Sequence, residues 1–108
     1  EIEQVLINLI KNAIDSMRDA PRRELHIFTG AVESGFVLVK VGDTGQGIAA
    51  EDKGKVFNAF YTSKKEGLGL GLAICRSLVE NYGGKIWVEQ REEVGTEFSF
   101  TLSVGADS

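Results

Sequence analysis

The sequence is nearly empty of thiol, imidazole, thioether and indole side chains: its 108 positions include one cysteine, one histidine, one methionine and one tryptophan. Cys75 therefore has no disulfide partner, and no cysteine or histidine neighbours it at metal-ligand spacing. It reads as a small core residue. An excess of positive charge is also missing, since 12 Lys and Arg face 16 Asp and Glu for a net charge of −4, with no basic stripe in either half. Direct contact with nucleic acid is excluded on that ground. Nor is there an apolar run of bilayer length, and Glu1 to Gln4 have the wrong chemistry for a signal peptide. The expected setting is cytoplasmic, without direct membrane contact by this segment, and an anchor elsewhere in a parent protein is left open. What the sequence does have is 43% apolar and 26% charged residues, the profile of a single globular domain over 1–108. Such a chain hides roughly two-thirds of its extended surface in one core, without staples. Gly105 to Ser108 reads as a frayed tail.

Apolar residues recur at Val5, Leu6, Leu9, Ile10, Ala13, Ile14 and Met17, which predicts a helix from Ile2 with one buried stripe. The only proline, Pro21, stops it. Glu24 to Val32 and Phe36 to Val41 are rich in β-branched and aromatic residues, and Glu33-Ser34-Gly35 between them has hairpin-turn chemistry. The glycine-dense Gly42 to Gly47 follows, then a short helical segment over 51–57 and a polar loop from Tyr61 to Gly69. Leu70 to Tyr82 returns to helical spacing, and Gly83-Gly84 supplies a left-handed cap. Two more strands close the chain, Lys85 to Gln90 and Gly95 to Val104. In the second, Thr96, Phe98, Phe100, Leu102 and Val104 alternate with a polar face of Glu97, Ser99, Thr101 and Ser103. This order predicts an α+β two-layer sandwich, with a mixed, mostly antiparallel sheet covered on one side by helices.

Five features carry chemistry. Asn8 and Asn12 lie one turn apart, off the apolar stripe, with Ser16 continuing their line. They are either solvated polar side chains or neutral oxygen donors at a pocket edge, which suit a magnesium ion already carrying phosphates. Asp43 falls in phase with Val37, Val39 and Val41, where a carboxylate is costly unless hydrogen-bonded. It is either an ordinary strand-end aspartate or the partner of a purine amine, with Gly45 and Gly47 letting the flat base come close. Gly67, Gly69 and Gly71 alternate up to a helix start, which fits a flexible loop or a phosphate cradle. Lys64 in the preceding loop is solvated or meets phosphate charge. Thr96 is the polar member of an apolar face, satisfied by backbone or by a buried partner.

In order along the chain, Asn8 to Ala13, Asp43-Thr44-Gly45-Gln46-Gly47, Val56 to Phe60, Gly67 to Leu72 and Gly95-Thr96 form a series. That series resembles the N, G1, F and G2 boxes of the catalytic ATP-binding domain of sensor histidine kinases, in the gyrase-like ATPase superfamily. Thr62-Ser63-Lys64 and the run from Gly67 to Arg76 resemble the nitrogen- and oxygen-responsive subgroup. The resemblance implies a Bergerat-type fold holding ATP with Mg2+. It assigns Asn12 to the magnesium, Asn8 to the phosphate end and Asp43 to the adenine amino group, with Gly45 and Gly47 shaping that pocket. It further assigns Gly67, Gly69 and Gly71 to lid closure over the triphosphate, Thr96 to adenine through water, and Lys64 to a phosphate.

The chain departs from that pattern in three ways. Asn8 stands where ATP-hydrolysing members carry a glutamate, and an asparagine is no base, so transfer of the phosphoryl group to a partner is expected rather than hydrolysis. Asn58-Ala59 replaces a frequent Glu-Pro beside the lid. Third, the sequence starts at the N-box helix, without the strands that usually precede it or the helical hairpin bearing the phosphoacceptor. His26, in a predicted strand, is not that acceptor. The expected partners are the phosphoacceptor histidine domain of the same kinase dimer and, indirectly, a response regulator. The rival readings are an ATP-hydrolysing gyrase-like module and a non-enzymatic interaction domain that keeps the fold.

Overall fold

The computed structural model describes residues 2–32, 35–58, 71–92 and 94–103. Helix α1 (Ile2–Ser16) buries Val5, Leu9 and Ala13 along a single stripe at four-residue spacing. Its end tightens through Arg18 N–H to Asp15 O and Ala20 N–H to Met17 O, just ahead of Pro21. The buried stripe is narrower than the sequence predicts: Ile14 is 56% exposed, and Ile7 is exposed as well. The reason is placement. Helix α1 packs on α2 and on the second strand, which leaves its far flank uncovered, and Leu25 and Ile27 of the first strand are exposed too.

Four strands follow, β1 (Leu25–Val32), β2 (Phe36–Asp43), β3 (Ile86–Gln90) and β4 (Thr96–Ser103), with α2 (Gly71–Asn81) between β2 and β3. They form one sheet of order β1-β2-β4-β3, in which every described pairing is antiparallel. This is the α+β sandwich expected of the sequence, with the helices on one face. Gly35, at φ 78, gives the β1–β2 hairpin its left-handed residue. Two glycines end α2 for different reasons. Gly83, at φ 77, takes the left-handed cap position, and Gly84 donates its N–H to Val79 O at 3.0 Å, as in a Schellman motif. A Cβ on Gly84 would run into the Thr101 carbonyl of β4.

The helix-facing rows of the sheet and the inner faces of both helices meet in a core of Val5, Leu9, Ala13, Val39, Val41, Val56, Cys75, Val79, Val88, Phe98 and Phe100. Cys75 is among them, its thiol pushed up by burial and donating to Val5 O at 3.8 Å. Two expectations change. Residues 51–57 are not a helix: a 3-10 turn at Ala50–Asp52 is followed by isolated turns. Tertiary packing decides this segment, burying Val56 and setting the Phe57 ring edge-on to Phe98, centroids 5.9 Å apart. The supposedly polar face of β4 is not all solvated either. Ser99 is 0% exposed because register puts it between Lys40 and Trp87. No helix among the described residues is long and apolar enough to cross a membrane.

Candidate functional site

Register is what assembles the site. Asp43 ends β2 directly opposite Thr96, the first residue of β4, which in turn faces Gln90, the last of β3. A polar row thus closes the helix-facing side of the sheet, immediately beyond the Val41–Phe98–Val88 row. Asp43 is only 1% exposed, and Thr96 is buried beside it. Burial raises the Asp43 carboxyl above its ordinary range, opposed by hydrogen bonds from the Gly45 N–H, the Ser16 hydroxyl and the Thr96 backbone and by the charge of Arg91. Oδ1 accepts from Gly45 N–H at 2.8 Å and from Ser16 Oγ at 3.4 Å.

The glycines around this carboxylate are fixed by close approaches. A Cβ on Gly45 would meet the hydroxyl and carbonyl of Ser16, so the loop lies directly on the end of α1. Gly45 therefore serves a protein contact, not only the approach of a flat ligand. Gly47, at φ 81, turns the loop back. Gly95, at φ 101, lies against the Asp43 carbonyl with no room for a side chain. Thr44 braces the far side: its hydroxyl donates to Arg22 O at 2.7 Å and accepts from Glu24 N–H at 2.9 Å, which holds the α1–β1 connection.

Helix α1 supplies the other wall. Asn8, Asn12 and Ser16 lie along one flank, each partly buried. Ser16 reaches Asp43, while Asn8 sits at the opposite end, its Cγ 4.0 Å from where a Cβ on Gly71 would lie, at the start of α2. Gln4 Nε2 donates to Asn8 Oδ1 at 3.3 Å. No described residue bonds the Asn12 carboxamide, which leaves its oxygen available between the two ends. Among the described residues no group of His, Cys, Asp and Glu is placed to hold a metal ion. A cation here would need ligands of its own, and a neutral carboxamide oxygen suits one that arrives with phosphates. The structure thus brings together Asn8, Asn12, Asp43, Gly45, Gly47, Gly71 and Thr96. Lys64, Gly67 and Gly69 lie outside the described residues, as does the lid from Tyr61 to Glu66.

Four contributors have no role assigned by the sequence alone. Ser16 was visible in the Asn8–Asn12 line, but its target was not. Gly95 had a signal, a glycine one residue before a strand. Gln90 and Arg91 had none, because their contacts to the loop after β2 depend on strand register alone: Gln90 Nε2 donates to Ile48 O at 2.7 Å and Arg91 Nη1 to Asp43 O at 3.2 Å.

Comparison with known proteins bears on the family and the fold. The family model described as histidine kinase-, DNA gyrase B-, and HSP90-like ATPase matches residues 1–106. The sensor protein FixL of Bradyrhizobium diazoefficiens is 39% identical over 102 residues, covering 94% of this chain and 20% of its own length. The chain therefore spans about a fifth of that relative. Among solved structures, the nucleotide-free catalytic domain of histidine kinase ThkA superposes with a TM-score of 0.82 at 42% identity, over 94% of this chain and 65% of that one. ThkA in complex with response regulator protein TrrA gives 0.79 at 37%, over 100% of this chain and 30% of that one. Full-length ShkA in complex with AMPPNP gives 0.81 at 32%, over 94% and 21%. With the family model spanning nearly every residue and the relatives being sensor kinases, the chain belongs to the histidine kinase-, DNA gyrase B-, and HSP90-like ATPase family.

Proposed function

We propose that residues 1–108 form the ATP-binding unit of a two-component sensor histidine kinase, holding Mg-ATP so that the γ-phosphate faces a histidine on a separate dimerisation domain. The observation that carries this is the buried, braced Asp43 carboxylate opposite Thr96, reached by Ser16 from the α1 flank that also carries Asn8 and Asn12. A buried carboxylate held in place by protein donors would use its remaining acceptor capacity for an exocyclic amine. That is the adenine end. Thr96, in the neighbouring register position, serves the same base, and Gly45 and Gly47 shape the loop beside it. At the other end Asn8 and Gly71 would flank the phosphates and Asn12 would offer its carboxamide oxygen to the magnesium, which when bound would neutralise phosphate charge. Lys64, Gly67 and Gly69 belong by resemblance to the segment that covers the triphosphate.

Phosphoryl transfer asks mainly for positioning and charge stabilisation, and the site's residues suit those tasks. A base is not among them. Asn8 cannot activate water, which favours transfer to the histidine of the partner domain over hydrolysis. The relative solved with its response regulator protein supports the same onward partner class here. The test is a titration of the chain with ADP and ATP in magnesium, followed by labelled ATP with and without a histidine-bearing dimerisation domain. Binding with label transfer only in the second mixture is expected. Steady phosphate release by the chain alone would favour the hydrolytic reading, and absence of binding by folded protein would favour a fold-retaining interaction domain.

A further inference from the structure

The loop after β2 is gripped at both ends by two consecutive side chains of another strand. Gln90 closes β3 and Arg91 follows it; Gln90 donates to the Ile48 carbonyl at 2.7 Å and Arg91 to the Asp43 carbonyl at 3.2 Å. Between the two gripped carbonyls run Thr44, Gly45, Gln46 and Gly47. Glycine at two of these four positions gives the loop wide backbone freedom. Its geometry must therefore be imposed from outside. The β3–β4 turn is a suitable source, because it is itself tied: Arg91 N–H donates to Gly95 O at 3.0 Å, and Gly95 lies flush against the Asp43 carbonyl. Through these contacts the loop, Asp43 and Thr96 are held by one rigid strand pair.

We infer that Gln90 and Arg91 are positioning residues which set the distance between the Gly45–Gly47 backbone and the Asp43–Thr96 pair, and so determine the preference for adenine over other purines. The inference rests on the nucleotide-binding reading above. Neither side chain touches the ligand in this scheme; each acts through a backbone carbonyl. Gln90 is suited to it by chemistry as well as by position. It lies in the Asp43–Thr96 row, at the open end of the sheet, and its carboxamide reaches across to the loop where a β-branched residue would stop short.

The test compares ADP and GDP affinities by calorimetry for the wild-type chain, Gln90→Glu, Gln90→Met, Arg91→Lys and Arg91→Met, with thermal melting of each. Gln90→Glu and Gln90→Met keep the side-chain length and remove the donor. They are expected to weaken ADP binding by about five- to tenfold, the scale of one neutral hydrogen bond. GDP binding and melting temperature should stay at wild-type values, so that the adenine preference falls by the same factor. Arg91→Met should behave likewise, and Arg91→Lys, which keeps a charged donor, should recover most of the loss. Wild-type ADP affinity in both Gln90 variants overturns the inference alone. So does a parallel loss of ADP and GDP with a lowered melting temperature, since that marks a merely structural contact. No ADP binding by folded wild type overturns the nucleotide reading and this inference with it.

Discussion

The two ends of the proposed site are built on different principles. At the proposed base end close backbone fit is reinforced by the grip of Gln90 and Arg91: Asp43 and Thr96 are buried neighbours in register, Gly95 lies against Asp43, and Gly45 lies against the end of α1. At the proposed phosphate end the contacts are looser. Asn8 and Asn12 are partly buried side chains on one helix, and Gly71 is within ordinary contact distance of Asn8. The difference follows from what each end must recognise. A purine is a rigid plate whose hydrogen-bonding edge rewards a preset socket, whereas a metal-bound phosphate chain is flexible and strongly charged, and adjustable side chains serve it better.

Substituting one glycine at each end tests that contrast most severely. Gly95→Ala puts a Cβ into the Asp43 carbonyl and asks alanine to hold φ 101; a loss of about 2–4 kcal/mol of stability is expected in denaturant melts. Gly71→Ala adds a methyl 4.0 Å from Asn8 Cγ. In the first turn of a helix that change should be neutral or stabilise by up to about 1 kcal/mol. Equal costs at the two positions would erase the distinction.

Asp43→Asn comes next. Losing the charged acceptor should weaken ADP and ATP alike, by about 1.5–3 kcal/mol or roughly ten- to a hundredfold. Stability should move the other way. Burial raises the Asp43 carboxyl in the folded state, so the folded protein holds that proton more tightly than the unfolded chain does. The carboxyl's contribution is therefore complete at acid pH, below the unfolded value, and is lost as pH rises through the raised folded one. Asparagine keeps an acceptor for Gly45 N–H and Ser16 without that loss. Melting temperatures of variant and wild type should converge in acid and, at neutral pH, the variant should be equal or higher. A sharp drop at neutral pH would mean that the carboxylate is a structural brace rather than a binding group held at a cost to stability.

Asn12→Ala addresses the opposite end. With its oxygen gone, the gain in ATP affinity on adding magnesium should shrink about fivefold, or about 1 kcal/mol, while affinity in EDTA stays the same. A loss of equal size with and without magnesium would place Asn12 on the nucleotide itself.

The same contrast explains what could be read from the sequence. Periodicity locates both helices and all four strands, because burying an apolar face is a local, repeated demand. It fails where the demand depends on neighbours: Ile14 has helical phase but is left exposed, Ser99 has a solvent phase but is buried between Lys40 and Trp87 in register, and residues 51–57 yield to the packing of Val56 and Phe57. Asp43 stood out because a carboxylate in phase with valines is an energetic anomaly. Gln90 and Arg91 could not, since both are commonplace at a strand end and become informative only once register sets them against the Asp43–Ile48 loop.

Ser16 joins the two ends, and Ser16→Ala is the mildest way to ask whether the joint matters. Its hydroxyl lies on the same helix flank as the two asparagines, yet donates to Asp43 Oδ1, at a long 3.4 Å. A bond that long, next to the much shorter one from Gly45, should contribute about 0.5 kcal/mol, so ADP affinity should fall only two- to threefold. The location of the effect says more than its size. Because Ser16 acts on the carboxylate, ADP and ATP should lose affinity equally, and the magnesium-dependent gain should be that of wild type. Ser16→Thr, which restores a hydroxyl, should recover the loss. If the magnesium-dependent gain falls instead, the α1 flank works as one unit and the two ends are not separately built.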